Sequence, residues 1–563
     1  MHFNIKDLTL ILFLFFSKPI FSQVKINNNF RSPIGIPIAL SGNFGELRSN
    51  HFHTGIDIKT NGTINYKVYS IESGYVSRIN ISHWGYGKAI YIDHPNGYTS
   101  VYAHLDHFPE KIEKIIRKEQ YNLKTETLTY YLDSLAIKFE KGEVIAYSGN
   151  TGGSSGPHLH FEIRETISEH PVNPQLFNFD ISDNKSPVIE KLKLYVFDNK
   201  YFSPNFKEKY FNLIRKENQF FLKYDSVISL KKGFFGFGLK AFDNYDNSNN
   251  KCGIYSIEML VDGQLKYELF FDEIDFETNR EINIHKDFKA YQNKREKTHK
   301  LFIHPKNDLQ IYNRELGNGL LCFKDTLQHK IKILVKDLNK NSSELNFYVQ
   351  NELPKSCDNY LENSKPFINK FYSLDSQMVI TIDSNSLFDN IVIEPVIKED
   401  VYTFKNKIIP VKSNFILAIK LNDNQLNNAD NLFIGYFTKN GNISNKNGLV
   451  SNGFISAELN SFRDYKIFLD NSPPIIKHAI NNMQKNNNQE LIFTITDSKS
   501  GVDVYNVFID DNWVLSKYSY ENKKLIVPLD KYSNILPGKH RCRVEALDEL
   551  KNKSFLEFEF LLN

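Results

Sequence analysis

The sequence predicts a mainly β protein built from several domains. Short runs of β-branched and aromatic residues are separated by Gly, Pro and Asn turns, and a helical pattern is confined to about residues 109–141. At 563 residues the chain is too long for one hydrophobic core, and a prior of roughly 100 to 200 residues per domain predicts three or four domains. We therefore expect antiparallel sheets, β-sandwiches and one short helical insertion.

The first 22 residues predict an export signal. Lys6 precedes a largely apolar run over residues 8–16, and a shorter, more polar end follows at residues 17–22. The apolar run is far shorter than the roughly 20 residues that a transmembrane helix needs. No cysteine follows it, which argues against a lipid-anchored lipoprotein. The prediction is a signal peptide over residues 1–22 and a mature chain without a transmembrane segment, exported to the periplasm or cell envelope.

Residues 23–183 are predicted to form the first domain, an antiparallel β-sheet domain. Between residues 66 and 102, β-runs alternate with turns such as Pro95-Asn96-Gly97, and an Asn-Gly pair flanked by β-formers is a strong hairpin signal. In the stretch 109–141, Ile112, Ile115 and Ile116 have helical spacing after a proline at a plausible helix start. This stretch is interpreted as a helical insertion between strands.

Two stretches with a similar amino-acid sequence are predicted to be domain linkers. Asp183-Asn184-Lys185-Ser186-Pro187 and Asp470-Asn471-Ser472-Pro473-Pro474 each lead into alternating apolar residues. Between and after them, β-runs that end in Asp/Asn turns recur, as expected of two or three β-sandwich modules of the immunoglobulin-like kind. The predicted units are β-sandwich regions over residues 184–352 and 353–470 and a C-terminal immunoglobulin-like domain over residues 471–563.

Composition excludes some partners and leaves cysteine chemistry open. With 24% charged residues, a net charge of +3 and no long block of like charges, the chain has neither a nucleic-acid footprint nor a polybasic membrane surface. The four cysteines, Cys252, Cys322, Cys357 and Cys542, have no Cys-x-x-Cys spacing, so neither a cysteine zinc site nor a disulfide framework is indicated. Export would permit one disulfide, and buried free thiols fit equally well.

Histidines are concentrated in one fifth of the chain, where nine of the sixteen lie within residues 51–170. His53 and Asp57 are four residues apart in a segment that suits an extended or loop conformation. His158 and His160 are two apart in an apolar strand and therefore project from one face. Two imidazoles and one carboxylate are the three protein ligands of a typical catalytic zinc site. A single His-x-His pair on a strand is more often incidental than metal-binding. The sequence setting of these pairs therefore has to distinguish the two interpretations.

That setting consists of four motifs in order, at residues 43–57, 86–98, 102–105 and 149–162. They include Asn43-Phe44-Gly45, Tyr102-Ala103-His104-Leu105 and Gly156-Pro157-His158-Leu159-His160. Together they resemble the lysostaphin-type, or LytM-type, zinc metallopeptidases, which cut peptide cross-links of bacterial peptidoglycan. The resemblance covers roughly residues 30–175.

The resemblance implies one zinc ion and a division of roles among five residues. His53, Asp57 and His160 correspond to the zinc ligands, and His104 and His158 correspond to two unliganded active-site histidines. Zinc would lower the pKa of its bound water toward ~7 and polarise the scissile carbonyl. His158 could accept the water's proton as general base, while His104 could donate to the developing oxyanion or hold the water. Which histidine does which stays open at this point.

The leading hypothesis is an exported zinc endopeptidase that hydrolyses peptidoglycan cross-links, with stem peptides as its substrate and other cell-envelope proteins as partners of the β domains. A D-Ala to diaminopimelate bond is favoured over a glycine bridge. A rival is a catalytically inactive LytM-like regulator that activates a cell-wall amidase. Such regulators have lost metal ligands, whereas all five residues are present here. A third reading is a scaffolding β-sandwich array with a minor hydrolase.

Other polar residues are given structural interpretations. Glu162 and Asp93 are interpreted as partners that orient a liganding imidazole. Asp243, Asn244, Asp246 and Asn247 have the composition of a calcium loop, but the glycine and final glutamate of an EF-hand are absent, so a polar turn between strands is the better account. The remaining histidines of the first domain are expected in loops or on the surface: His51, His83, His94, His107 and His170.

Overall fold

A computed structural model describes most of the chain. The predicted signal peptide lies outside the described residues. No helix in the described part is long and apolar enough to cross a membrane. The residues that the structure describes are 26, 28–197, 207–224, 226–231, 233–353, 357, 368–479 and 490–562.

The mainly β fold predicted from the sequence is confirmed, because the described strands form eight sheets and the helices are few and short. Four regions follow one another along the chain, and each has its own sheets. We refer to them as the N-terminal region (residues 26–181), the second region (188–351), the third region (368–470) and the fourth region (475–562). The domain boundaries expected from the sequence near residues 183, 352 and 470 stay predictions.

The N-terminal region consists of a nine-stranded sheet and a three-stranded sheet. Its elements are β1 (Leu40–Gly42), β2 (Ile56–Lys59), β3 (Lys67–Tyr69), β4 (Gly74–Ile81), β5 (Lys88–Asp93), β6 (Tyr98–Ala103), β7 (Leu105–His107), α1 (Glu110–Leu123), β8 (Leu128–Tyr131), β9 (Lys138–Phe139), β10 (Val144–Ser148), β11 (His158–Glu165), β12 (Pro171–Val172) and a 3-10 helix (Pro174–Leu176). Strand β11 lies between β2 and β6, antiparallel to both. This central position places its histidines beside residues from both neighbours.

The helical insertion is shorter than the sequence pattern predicted. Helix α1 begins after Pro109, buries Ile112 and Ile116 against the core, and ends at Lys124 in a left-handed conformation. The rest of the stretch to residue 141 is not helical, because β8 and β9 both pair with β4. The free edge of β4 supplies backbone partners there, and these override the local pattern.

The second region has an eleven-stranded sheet arrangement around one core. Its elements are β13 (Val188–Phe197), β14 (Lys207–Lys216), β15 (Gln219–Leu222), β16 (Val227–Leu230), β17 (Phe234–Phe242), β18 (Ser256–Val261), β19 (Gln264–Phe270), a 3-10 helix (Asn279–Glu281), α2 (Ile282–His285), α3 (Phe288–Lys294), β20 (Thr298–Lys300), a 3-10 helix (Arg314–Leu316), β21 (Leu321–Cys322), β22 (His329–Lys336) and β23 (Ser342–Asn351). A disulfide joins Cys322 to Cys357, while Cys252 and Cys542 are buried free thiols.

The third and fourth regions are also built from strands. The third contains β24 (Lys370–Tyr372), β25 (Met378–Thr381), β26 (Pro395–Lys398), β27 (Val401–Phe404), β28 (Phe415–Lys420), α4 (Asp423–Leu426), a 3-10 helix (Ala429–Asn431), β29 (Leu432–Phe437), β30 (Ile443–Asn445), β31 (Leu449–Ser451), β32 (Phe454–Leu459) and β33 (Lys466–Leu469). The fourth contains β34 (Ile475–His478), β35 (Glu490–Thr496), β36 (Val502–Ile509), β37 (Asn512–Val514), β38 (Lys517–Ser519), β39 (Lys524–Pro528), β40 (Gly538–Asp548) and β41 (Lys553–Leu562). In the fourth region two four-stranded sheets share one core and form a β-sandwich.

The second region holds the loop that precedes β2. Phe44, Leu47 and Phe52 belong to the N-terminal region but are buried in the core of the second region. Phe52 lies 5.4 Å from Phe271, centroid to centroid. Gly45 has a φ of +76°, and a Cβ there would lie 2.4 Å from the Phe271 ring, so only glycine fits. The loop that carries His53 is therefore fixed by packing between the two regions.

Candidate metal centre and active-site groove

Three side chains converge in a groove of the N-terminal region. His53 Nε2 lies 3.0 Å from Asp57 Oδ1 and 3.1 Å from His160 Nδ1, and His160 Nδ1 lies 2.9 Å from Asp57 Oδ1. Ligand atoms around a tetrahedral zinc ion with bonds of ~2.0–2.1 Å are separated by ~3.3 Å. Two nitrogens and one oxygen at nearly this spacing can hold a metal ion.

Strand register brings these residues together. Asp57 on β2 lies directly opposite His160 on β11, because the two strands pair antiparallel. His53 is in the loop before β2, where its backbone N–H donates to Glu46 O and its carbonyl accepts from Gly45 N. The site therefore combines one strand pair with one tightly held loop.

The outer nitrogen of each histidine ligand has its own partner. His53 Nδ1 donates to the backbone carbonyl of Asn43 at 2.8 Å, and His160 Nε2 donates to Glu162 Oε1 at 2.9 Å. Such bonds fix the tautomer and the orientation of an imidazole, and they leave the inner nitrogen free for a metal. The ligand set is therefore preorganised.

Glu162 is fully buried at the centre of a polar network. It accepts hydrogen bonds from the hydroxyls of Thr54 and Tyr86, each at 2.6 Å, and from Arg164 Nε at 2.8 Å. Burial alone would raise the pKa of Glu162, but Arg164 and His160 hold it well below its ordinary value. Glu162 is thus an ionised partner of His160.

Asp93, the other residue interpreted as an orienting partner, does not act on the site. Its carboxylate accepts hydrogen bonds from the hydroxyls of Tyr75, Ser77 and Thr99. These residues lie on β4 and β6, so Asp93 stabilises the sheet instead. That interpretation of the sequence is wrong.

His104 and His158 form a second pair beside the three converging residues. Their ring centroids are 4.7 Å apart, and His158 Nε2 lies 3.5 Å from Asp57 Oδ1. His104 Nδ1 bonds to Thr151 O and His158 Nδ1 bonds to Gly156 O, each at 2.8 Å. A carbonyl can only accept, so both Nδ1 atoms carry the proton and both Nε2 atoms are proton acceptors.

His104 also has an unusual backbone. Its φ is +57°, a left-handed conformation that is uncommon for a residue with a side chain, and its N–H donates to Tyr86 O at 2.9 Å. Strained residues of this kind cluster at functional sites. The turn from β6 to β7 therefore directs this histidine into the groove.

Electrostatics separate the roles of the histidines. Burial alone would lower the pKa of His160, but the hydrogen bonds that its ring donates to the carboxylates of Asp57 and Glu162 raise it to about 9. Burial and the neighbouring His160 and His158 lower the pKa of His104 to about 3, so its ring is neutral at neutral pH. His160 is thus surrounded by negative charge, as a metal ligand would be, and His104 is a neutral polar group.

Several site residues were not found from the sequence. Arg48 Nη2 contacts Asp57 Oδ2 at 3.0 Å and Glu46 Oε2 at 3.2 Å. Arg164 could have been found, because it is two residues from Glu162 on the same face of β11. No local signal marks Arg48, because only folding brings its loop to Asp57.

The second region supplies one wall of the groove, which no sequence pattern indicated. These residues are more than a hundred positions from the histidine motifs. They are Phe276, Asn279, Arg280, Tyr291 and Lys297.

The other histidines of the N-terminal region lie outside the converging set. His94 lies in the loop that follows β5, as expected, but it is buried there, with its ring between Ser73 O and Ser100 Oγ. His107 stacks on Tyr147. His51 lines the groove, His83 contacts Tyr505 and His170 bonds to Glu273.

Comparison with known families agrees with this geometry. The profile of peptidase family M23 matches residues 51–121 and 124–174, and these segments contain all five candidate site residues. The N-terminal region is a peptidase family M23 domain. We call it the peptidase domain from here on. A second profile, that of the Zu5-like domain, matches residues 368–470 in the third region.

The individual relatives below match only part of the chain. The chain is 35% identical over 129 residues to the DD-carboxypeptidase/endopeptidase Mpg of Neisseria meningitidis serogroup B. The matched stretch covers 23% of this chain and 23% of that protein. Over 157 residues it is 28% identical to an uncharacterized metalloprotease of Haemophilus influenzae, covering 28% of this chain and 26% of that protein. The chain therefore spans about a quarter of the length of these curated relatives. The catalytic domain of lysostaphin from Staphylococcus simulans is 21% identical over 24% of this chain and 90% of that domain, with a TM-score of 0.19.

Proposed function

We propose that this protein is a zinc-dependent endopeptidase of the cell envelope that hydrolyses the peptide cross-links of bacterial peptidoglycan. The observation that carries the proposal is the convergence of His53 Nε2, Asp57 Oδ1 and His160 Nδ1 beside two histidines whose Nε2 atoms accept protons. The name of the Neisseria relative, a DD-carboxypeptidase/endopeptidase, supports the same class of reaction.

Zinc is the metal that this donor set suits. Imidazole nitrogen and carboxylate oxygen in a three-ligand set are typical of catalytic zinc sites. When bound, zinc would polarise the scissile carbonyl and lower the pKa of a coordinated water. Asn43 and Glu162 would hold the two imidazoles in their metal-binding tautomers.

His158 is assigned the general base. Its Nε2 is 3.5 Å from Asp57 Oδ1, so it lies at the edge of the candidate metal centre, where the attacking water would be. Its Nδ1–H is engaged by Gly156 O, which leaves Nε2 to take the water's proton and later deliver it to the leaving amine.

His104 is assigned the orientation of the attacking water. With Nδ1–H bound to Thr151 O and a pKa of about 3, the neutral ring has only an acceptor facing the groove. Donation to an oxyanion would require a second proton on this ring, which its pKa disfavours. Of the two roles expected from the sequence, holding the water is therefore the better supported.

The groove also suits a peptide with free carboxylates. Arg280 of the second region lines it, and Arg48 lies beside Asp57. Peptidoglycan stem peptides carry such carboxylates, and arginine binds them by paired hydrogen bonds. This supports the substrate class and leaves the particular bond to experiment.

The test uses the full mature protein with purified sacculi or muropeptide dimers. Loaded with zinc, the wild type should release cleaved stem peptides, and a chelator should stop it. His160→Ala should lose zinc and lower cleavage by about 10³-fold or more, since the metal supplies several kcal/mol of transition-state stabilisation. His107→Ala, a histidine outside the site, should match the wild type.

Two outcomes would overturn the proposal. One is a folded wild-type protein that binds no zinc. The other is a zinc-loaded protein that leaves every cross-link intact but stimulates a cell-wall amidase equally with and without His158→Ala. The second outcome would identify a regulator instead of an enzyme.

A further inference from the structure

Three aspartates from distant parts of the chain meet where the peptidase domain joins the second region. Asp183 lies in the linker, Asp243 directly follows β17, and Asp337 directly follows β22. One carboxylate oxygen of each lies within 4.8 Å of the others. Their exposed fractions are 8%, 1% and 3%, so three carboxylates share a site that is nearly closed to water.

The protein does not supply enough donors for this group. Asp183 Oδ1 accepts the backbone N–H of Lys185, Asp243 Oδ1 accepts that of Asn244, and Asp337 accepts the backbone and side-chain amides of Asn341. All of these donors are neutral.

One carboxylate oxygen of this group has no hydrogen-bond partner. Asp243 Oδ2 is buried without a hydrogen-bond partner. An unpaired buried carboxylate oxygen is costly, and such groups call for an unobserved partner. A small polar cavity borders Asp243 and Asp337. Burial and the mutual repulsion of the carboxylates raise the pKa of Asp243 to about 9 and that of Asp183 to about 7.

We propose that Asp183, Asp243 and Asp337 bind a calcium ion that joins the linker to the second region. Carboxylate oxygens bind calcium at ~2.3–2.6 Å, so two oxygens on one ion lie at most ~5 Å apart, in agreement with the spacing here. The set contains no nitrogen or sulfur, which sets it apart from zinc sites. Magnesium prefers to keep several of its waters, and a nearly closed site with three carboxylates suits it less well.

A matching triad lies where the third region joins the fourth and serves as an internal control. Asp470, Asp497 and Asp548 occupy the linker, the end of β35 and the end of β40. Asn552 donates to Asp548 Oδ2 and to Asp470 O, as Asn341 donates to Asp337 Oδ2 and to Asp183 O.

The two triads differ in burial, because Asp497 is only half-buried, and in their hydrogen-bond donors. Asp470 Oδ2 accepts both the N–H and the hydroxyl of Ser500, at 3.0 and 2.7 Å. No carboxylate oxygen of Asp470, Asp497 or Asp548 is both buried and without a hydrogen-bond partner, whereas Asp243 Oδ2 of the first triad is. We assign the ion to the first triad alone.

The site is connected to the loop of the peptidase domain. Asp243 and Cys252 exchange two backbone hydrogen bonds, and Gly253 next along the chain binds both ends of the Asn43 side-chain amide, at 2.7 and 2.9 Å. Asn43 O in turn accepts from His53. An ion at Asp243 would thus stabilise the turn against which the His53 loop is held.

The experiment measures calcium binding to the full mature protein, freed of calcium and loaded with one equivalent of zinc. Isothermal titration with Ca²⁺ alone should show one tight site per chain, and calcium should raise the midpoint of thermal unfolding. Asp243→Asn and Asp337→Asn should each abolish that site. Asp548→Asn in the second triad and Asp423→Asn on the exposed helix α4 should keep it.

The unfolding temperature of the calcium-free protein provides an independent test of the site. Asp243→Asn replaces a buried carboxyl whose charged form is disfavoured by burial and by Asp183 and Asp337, so in calcium-free buffer the variant should unfold at the same temperature as the wild type or higher. With calcium the order should reverse.

Three outcomes would overturn the proposal: no calcium binding by the folded wild type, binding that survives both Asp243→Asn and Asp337→Asn, or a site that takes Mg²⁺ in preference to Ca²⁺. None of these readouts depends on peptidase activity.

Discussion

Two carboxylate-containing clusters, the groove of the peptidase domain and the junction with the second region, differ in donors and in access. In the groove, Asp57 shares its site with two imidazoles and faces an open cleft. At the junction, Asp183 and its partners offer oxygen alone and are nearly closed to water. Donor type selects the metal, and an open position separates catalytic from structural sites. The difference predicts that the first cluster works on a substrate and the second holds the fold.

The clusters also differ in how their negative charge is compensated. Arg48 contacts Asp57, and Arg164 contacts Glu162, so the groove carries permanent positive partners. The junction triad has only neutral donors. The groove should therefore keep its shape when the metal is removed, while the junction should depend on its ion.

Among the variants that should keep zinc, the largest effect is expected from His158→Ala. If His158 is the general base, as proposed, its loss should lower kcat by about 10²- to 10⁴-fold while zinc content stays at one per chain. Cleavage of muropeptide dimers and metal analysis of the same sample measure both quantities. A variant that loses zinc together with activity would show that His158 belongs to the metal set, and the assignment of roles in the groove would be wrong.

His104→Ala provides the matched comparison. If this residue orients the water, the loss in kcat should be smaller than for His158→Ala, and zinc should again be retained. Equal losses would show that the two histidines act as one unit.

Glu162→Gln should have an intermediate effect. It removes the charge that orients His160 and compensates Arg164, and changes in such outer partners typically lower metal affinity or activity by ~10- to 100-fold. Competition with a zinc-binding dye measures the affinity, and circular dichroism checks that the protein folds. Asp93→Asn, a carboxylate of the same sheet that lies away from the site, should leave zinc affinity unchanged; a comparable loss there would point to a general effect on the sheet.

The histidine site could be predicted from sequence because its information is local. The spacings His53 to Asp57 and His158 to His160 lie within single segments, and motif order linked them. Glu162 could be proposed as an orienting partner for the same reason, because it follows His160 by two positions on a strand. The mainly β class was also predictable, because turn signals are short-range.

The junction triad could not be predicted in this way. Asp243 was correctly seen as part of a polar turn, but a search for a contiguous calcium loop could not join it to Asp183 and Asp337. Only the sheet of the second region brings the ends of β17 and β22 to the linker. The same limit explains the groove wall around Arg280 and the pairing of β8 with β4.

Glu126 contrasts with both clusters, because it is a half-buried carboxylate for which the described residues provide neither a metal site nor an ion pair. It lies between α1 and β8 and accepts hydrogen bonds from Tyr505 OH and Tyr518 N of the fourth region, at 2.5 and 2.9 Å. Burial raises its pKa to about 7, although these bonds and the nearby Lys517 and Lys88 lower it. A proton is then the remaining means of neutralising it.

The smallest effect is therefore a pH dependence of the contact between the fourth region and the peptidase domain. Since the pKa of Glu126 is raised above its ordinary 4.5 to about 7, its contribution is fully present below pH 4.5 and is lost as the pH rises through 7, by roughly 1–3 kcal/mol. Both tryptophans lie at this contact, Trp84 against Tyr520 and Trp513 against Tyr121, so tryptophan fluorescence during denaturant unfolding reports it. Glu126→Gln keeps an acceptor without the charge and should flatten the profile between pH 4.5 and 7. If the free energy of unfolding of this variant depends on pH as steeply as that of the wild type, another group titrates. The proposed contrast, in which a metal ion neutralises some carboxylates and a proton neutralises Glu126, would then not apply to this contact.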